Sequence, residues 1–231
     1  EKSAVVKLDE LSGSVDSVKI KCNFGKVTIQ TTKQAPYIQY AKAGSFTTKT
    51  DVHGDTFEIE LQSVLSSFIF LNKLFDDNSV IATVYLPDIL YDRVSVAASA
   101  NDLTIKDIQA RKMEVQLSAG DVLIEDCNIT EMKSELNAGN FEFYAKKGIQ
   151  KINSTVNAGN MDLYLPKNID GFVCRYDVAL GNFDNDSDFD IKGVDDGRII
   201  NGEGEFSYGD ESCKITLKVS AGNIILDNYN V

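Results

Sequence analysis

The residues in this chain whose types and spacing could do chemistry are acidic. In "DNDSDFDIKGVDD", Asp184, Asp186, Asp188 and Asp190 alternate, and Asp195 and Asp196 follow. Alternate carboxylates project from one side of an extended segment, and oxygen-rich clusters of this kind suit Ca²⁺, which takes roughly 6–8 oxygen ligands. The run is not an EF-hand loop, because Phe189 stands where the loop's glycine belongs, and no helix is expected on either side. Read more simply, it is a solvated acidic loop. A second acidic arrangement is Asp102 with Asp121, which a repeating fold would place on neighbouring turns of chain. Hydrolysis of a glycosidic bond needs two carboxylates roughly 5–9.5 Å apart, but both aspartates fall at turns, where Asp is wanted for backbone reasons.

Other chemistry is poorly supplied. His53 is the only histidine and sits beside a Gly-Asp turn, so no nucleophile-and-base pair can be built around it. Cys22, Cys127, Cys174 and Cys213 are scattered, with no CxxC pair, which argues against zinc; they read as buried or half-buried free thiols. No phosphate-binding or nucleophile-elbow glycine motif occurs at a strand-to-helix turn. The formal charge of −12 repels phosphate backbones and anionic lipid surfaces, so a nucleic acid partner is not expected. No stretch approaches the ~20 apolar residues of a membrane span. The start at Glu1 rather than Met reads as a matured or trimmed chain, which leaves an exported precursor open.

The elements that carry these residues repeat. "VSVAASANDLTI" from Val94, "EVQLSAGDVLI" from Glu114, "SELNAGNFEF" from Ser134, "STVNAGNMDLYL" from Ser154 and "LKVSAGNIIL" from Leu217 share one grammar, with a weaker copy, "YDVALGNFDND", from Tyr176. Ala100, Ala119, Ala138 and Ala158 follow one another at steps of 19, 19 and 20 residues, and Leu180 and Ala221 continue at 22 and 41. The last step, about twice the period, implies a rung between in degenerate form or as an excursion. Alternation puts Leu117 with Ala119 on one inward face and Val122 with Ile124 on another; Phe141 with Phe143 and Met161 with Leu163 repeat the second. Between Ala119 and Val122 the spacing is three, so the chain must turn at Gly120-Asp121. It must do the same at Gly139-Asn140, Gly159-Asn160, Gly181-Asn182 and Gly222-Asn223. Ile108, Ile129, Ile149 and Ile169 supply a further apolar contact per unit.

A coil of about 20 residues cannot bury its apolar side alone and must stack on its neighbours. The expected fold is therefore all-β: a right-handed parallel β-helix-like solenoid with ~20-residue rungs, forming one domain over 1–231. Stacking would align Asp121, Asn140 and Asn160 in one ladder and Asn137 with Asn157 in another. Residues 94–231 form the regular rungs, interrupted by an acidic excursion near 182–212 and closed by the rung at Leu217–Leu226. Residues 1–93 are divergent rungs or a sheet continuing the stack: "SVKIKCNFGKVTIQTT" repeats the grammar around Gly25, "HGDTFEIEL" does so around Gly54, and "VIATVYLPDI" is a strand ended by Pro87. From Leu61 to Phe75 the apolar spacing fits a short helical insertion, packed over the stack or binding a membrane or partner.

The run of "SAGDVLIEDC", "NAGNFEFYA", "NAGNMDLYLP" and "VSAGNIILDN" resembles the bacterial putative-adhesin family, a domain of unknown function related to surface-protein head domains. The resemblance covers most of the chain and implies a β-solenoid on an exported or membrane-tethered protein, with cell adhesion as its role and no catalytic residue to carry over. The expected function is a non-enzymatic, extracytoplasmic scaffold that binds a protein or glycan partner on its lateral faces and needs no cofactor. The alternatives are a carbohydrate-active β-helix enzyme and an envelope stress-response module docking a regulator through the helical insert.

Overall fold

The computed structural model describes residues 3–8, 15–41, 46–63, 81–191 and 198–230. They contain no helix and seventeen strands. The first six are β1 (Ala4–Lys7), β2 (Ser17–Thr32), β3 (Tyr37–Tyr40), β4 (Phe46–His53), β5 (Thr56–Ser63) and β6 (Ile81–Pro87). The repeat comprises β7 (Leu90–Lys106), β8 (Gln109–Ala119), β9 (Val122–Glu125), β10 (Asn128–Ala138), β11 (Phe141–Tyr144), β12 (Lys151–Ala158) and β13 (Met161–Pro166). The last four are β14 (Gly171–Asn185), β15 (Arg198–Gly209), β16 (Cys213–Ala221) and β17 (Ile224–Tyr229). All belong to one sheet.

Each coil of the repeat carries two strand segments separated by the Gly corner, and each segment pairs in parallel with its counterpart in the next coil. Ala100 lies opposite Ala119, Ala119 opposite Ala138, and Ala138 opposite Ala158. The inward side chains are the alternating apolar set: Met113, Val115 and Leu117 before the corner, and Val122 and Ile124 after it, are each at most 3% exposed. Ile108, Ile129, Ile149 and Ile169 are buried as the third contact. Burying such a side chain stabilises the fold by about 1.5–3 kcal/mol, and it can do so only because the coils above and below exclude water. One expectation fails at the corner. The alanine column, placed inward with Leu117 by simple alternation, lies on the outside, and Leu180 within it is 67% exposed. The bend at the following Gly lifts that residue off the core face.

Core volume is balanced within coils. Ser134 and Ser154 replace the inward aliphatics of their neighbours, and their buried hydroxyls hydrogen-bond each other at 2.8 Å. The Ser134 coil makes up the volume with Phe141 and Phe143, whose ring centroids are 6.2 Å apart.

The ends of the stack depart from chain order. β2 is a full coil paired in parallel with β7 from Ser17↔Arg93 to Gln30↔Lys106, and β5 and β6 stack on its other side. Gly54, expected to mark another strand-Gly-strand rung, instead lies in the tight turn of an antiparallel hairpin between β4 and β5. β3 lies antiparallel to β6, and β1 antiparallel to β3. At the far end β16 and β17 do not close the stack. They lie between the β12–β13 coil and β14, with Ala221 opposite both Ala158 and Leu180. Among the described residues the 41-residue step therefore holds no degenerate rung: β14 is the terminal coil, β15 folds back antiparallel on it, and the chain then returns to fill the gap. As for the helical insertion, Leu61–Ser63 are the end of β5, with Leu61 fully buried, and 64–75 lie outside the described residues.

A Cβ added at Gly159, whose φ is +138°, would sit 1.8 Å from the Gly139 carbonyl oxygen. Gly159→Ala is therefore expected to lower unfolding free energy by about 2–4 kcal/mol, combining backbone strain and a backbone clash. Gly54→Ala, with φ +65° but open space around it, should cost about 1 kcal/mol. Urea unfolding of both variants checks the difference.

Candidate functional site

The corner column is built from three adjacent ladders. Glycines 120, 139, 159 and 222 each donate their N–H to the carbonyl preceding the next coil's glycine, on Ala138, Ala158, Ala221 and Leu180, at 2.8–3.0 Å. Beside them the Asp/Asn residues stack. The Asp121 carboxylate accepts the backbone N–H (2.8 Å) and the side-chain amide (2.9 Å) of Asn140. Asn140 Oδ1 accepts from Asn160 in the same way, Asn160 Oδ1 from Asn223, and Asn223 Oδ1 from the N–H of Asn182. Outside the glycines, Asn157 Nδ2 donates to Asn137 Oδ1 at 3.0 Å. These amides are committed to one another, so the column's chemistry is structural. Asn101 occupies the glycine position of the β7 coil; its side chain is buried, Nδ2 donates to the Gly25 carbonyl, and Oδ1 has no partner.

The two strand faces flanking this corner each carry a groove. On the face before the corner, Lys21, Ala97, Gln116 and Glu135 stand in one outward register column. Ala97 has only a methyl where its neighbours have long side chains, and the missing volume opens a groove of about 540 Å³ floored by Ala97, Ala98 and Ser99. Its rim is polar, with Glu60, Gln62, Gln116, Ser118 and Asn137. On the face after the corner, Thr104, Leu123, Glu142 and Asp162 succeed one another in register and floor a groove of about 420 Å³, bordered by Asp102, Asp121, Asn140 and Asn160. Burial first, and the neighbouring Glu142 carboxylate second, raise the Asp162 pKa above the usual carboxylate range; its Oδ1 is buried without a partner. Asp102 and Asp121 thus share a groove wall, but the Asp121 carboxylate is the terminal acceptor of the amide ladder.

The acidic run is spread out. Asp186, Asp188 and Asp190 point to solvent, alternating with half-buried Asn185 and Ser187 and buried Phe189. Phe189 packs edge-on to Phe172 and against Tyr208, with centroids 5.4 and 4.7 Å away. Asp188 pairs with Lys167 at 2.8 Å. Asp184 lies in β14 opposite Ile225, so the four aspartates that alternation placed on one side divide between a strand and the segment leaving it. Asp195 and Asp196 lie outside the described residues. Among the described residues no three His, Cys, Asp or Glu side chains converge as a metal site. His53 is exposed at its turn, 3.2 Å from Asp51. All four cysteines are free and buried; burial pushes the Cys22 and Cys213 thiols up to about 12, so they are poor nucleophiles.

Two features escaped the sequence reading. The groove over Ala97 had a signal, the replacement of the polar Gln116 or Glu135 position by Ala in an otherwise aligned repeat. The tyrosine cluster, in which Tyr144 stacks on Tyr164 at 4.4 Å and meets Tyr229 edge-on at 5.6 Å, could be read from the aligned Tyr of two copies.

Because the folded state raises the Asp162 pKa, the stability linked to this group is greatest below its ordinary value and is lost as pH rises through the folded one. Asp162→Asn is expected to stabilise the protein at pH 7 by a few tenths to ~1 kcal/mol, a gain that shrinks towards pH 4. Thermal melts across that range test the trend.

Comparison with known proteins agrees with this architecture. Residues 12–227 match the family model described as Toastrack DUF4097. A putative cell adhesion protein from Clostridium sporogenes ATCC 15579 is 13% identical, with 99% of each chain covered and a TM-score of 0.58. A putative adhesin from Bacteroides fragilis NCTC 9343 is 9% identical over 99% of this chain and 98% of that one, with a TM-score of 0.38. A putative lipid binding protein from Parabacteroides distasonis ATCC 8503 is 11% identical over 99% and 96%, at 0.35. No curated protein matches the chain.

Proposed function

Given that the chain belongs to the Toastrack DUF4097 family, we propose that it is a non-enzymatic binding protein of the adhesin kind, working outside the cytoplasm through the lateral faces of its stack. The observation that carries this reading is the groove over Ala97. It is open, long in the stacking direction, floored by small side chains and rimmed by amides, hydroxyls and both signs of charge, the mixture that recognises a hydroxyl-rich chain such as a glycan or an extended polypeptide. Rigid coils hold those groups at a constant pitch of ~4.8 Å, so affinity is not spent on ordering loops. Adhesion is the role named for the C. sporogenes protein of similar fold. We take the coils, about 20 residues each, to wind right-handed, the hand that parallel crossovers favour.

The second groove favours one other reading. Glu142 and Asp162 are adjacent in register, and the raised Asp162 pKa suits a general acid beside a second carboxylate. On that reading the protein cleaves a polysaccharide, and reducing ends would appear on incubation with a substrate panel and vanish in Glu142→Gln.

Ala97→Tyr fills the first groove with a residue suited to strands. It is expected to leave the melting temperature unchanged while weakening, by about tenfold or more, the ligand that wild-type protein selects from a glycan and peptide array. A wild-type protein that selects nothing on the array and fractionates with the cytoplasm would refute the reading.

A further inference from the structure

The cations of the repeat are not distributed as the overall acidity would suggest. From β7 onward, nearly every lysine and arginine whose side chain is described has a carboxylate within 4.0 Å: Lys106 with Glu125, Arg111 with Asp92, Lys112 with Glu131, Lys133 with Glu135. Lys146, Lys147, Lys167, Arg175 and Lys218 follow the same pattern. Among the described residues of this region the exceptions are Arg93, Lys151 and Lys214. All three are exposed and all three stand in one register column: Arg93 opposite Lys112, Lys112 opposite Glu131, Glu131 opposite Lys151, and Lys151 opposite Lys214.

Like charges directly opposite across a ladder destabilise a sheet, and Lys151 and Lys214 are direct partners about 4.8 Å apart along the stack. In a chain of net charge −12, carboxylates are plentiful, yet among the described residues none stands within 4.0 Å of either ammonium. Glu131, opposite Lys151, is paired with Lys112 at 3.7 Å, and neutral hydrogen-bonding groups stand nearby: Gln150 at the preceding corner, and Asn153 and Thr216 one outward position further along β12 and β16.

From this geometry we infer that the edge bearing Arg93, Lys112, Lys151 and Lys214 binds an acidic polysaccharide laid along the stacking direction. The unpaired cations meet carboxylate or sulfate groups on successive sugars, and the flanking amides and hydroxyl meet the sugar hydroxyls. A nucleic acid fits worse. Its charge density, one per ~1.7 Å of duplex, is far above that of three free cations spread over four ladder steps, whereas an acidic polysaccharide can carry its charges at the wider spacing of its sugars. The edge lies beyond the groove over Ala97, and the inference does not depend on that groove having a ligand.

The test is titration of the full chain with polygalacturonate and with dextran sulfate, with neutral dextran and duplex DNA as comparisons, at low and moderate salt. The wild-type protein should bind at least one acidic polysaccharide saturably, more tightly than dextran or DNA, with affinity falling as salt rises. Lys151→Gln with Lys214→Gln should weaken that binding about tenfold and flatten its salt dependence, with a melting temperature equal to or above that of the wild type, since the like-charge pair is removed. Glu131→Gln, which releases Lys112 and removes the column's one anion, should tighten it. Ala97→Tyr should leave it unaltered, which separates this edge from the groove. Absence of binding, binding of DNA as tight as that of the polysaccharides, or indifference to the lysine pair overturns the assignment.

Discussion

The structure depends on a close approach of backbones at one corner. At glycines 120, 139, 159, 222 and 181, a side chain's first carbon would stand 1.7–2.0 Å from a carbonyl oxygen of the neighbouring coil. That carbonyl belongs to the residue stacked directly beside it, Asn101 for Gly120 and a glycine for each of the others, so a Cβ would wedge apart coils that the N–H bonds of these same glycines 120, 139, 159 and 222 hold together. The φ values, +120° to +144°, belong to a region only glycine visits freely. Once the corner is fixed, the rest follows: parallel ladders run on both sides of it, and the outward amides hydrogen-bond in a row. The inward side chains of each coil fall directly above those of the last, which is the only arrangement in which so thin a coil can keep its apolar residues dry.

This dependence explains which parts of the molecule were legible in the sequence. A glycine required at every turn leaves a period, and the period gave the registers Ala100, Ala119, Ala138, Ala158. The Asn ladder was legible for the same reason, since a turn residue repeated in register has a neighbour of its own kind. Alternation failed at the alanines because it assumes a straight strand, and the chain is already bending there. The Gly54 segment was misread as a rung because a strand, a glycine and a strand describe a hairpin as well as a corner. What separates them is whether the partner strand comes back or goes on, and that is decided by distant pairing. The position of β16 and β17 was not legible at all: the repeat identifies what a segment pairs with in kind, not which copy it sits beside.

The surface chemistry is less legible still, because it lies in departures from the repeat. Ala97 is notable only against Gln116 and Glu135, and Lys151 only against the carboxylates its neighbours keep. Asp184 to Asp190 drew attention as a string of charges, yet the string crosses from a strand into an irregular segment, and its most constrained residue is Phe189, buried on Phe172 and Tyr208.

The insertion of the last strands between β12–β13 and β14 bears on how the molecule carries load. A stack whose chain ends were its outermost coils could be peeled from either end, one ladder opening at a time. Here a pull applied at β17 acts on β16 and β17, each held by parallel ladders on both sides. To release them, force must shear two interfaces at once in the interior, while the exposed terminal coil is tied back by β15 and is not the part being pulled. The same threading means that β14 cannot reach its final neighbours until β16 and β17 have been made, so the last strands to be paired lie inside the stack and not on its outer face.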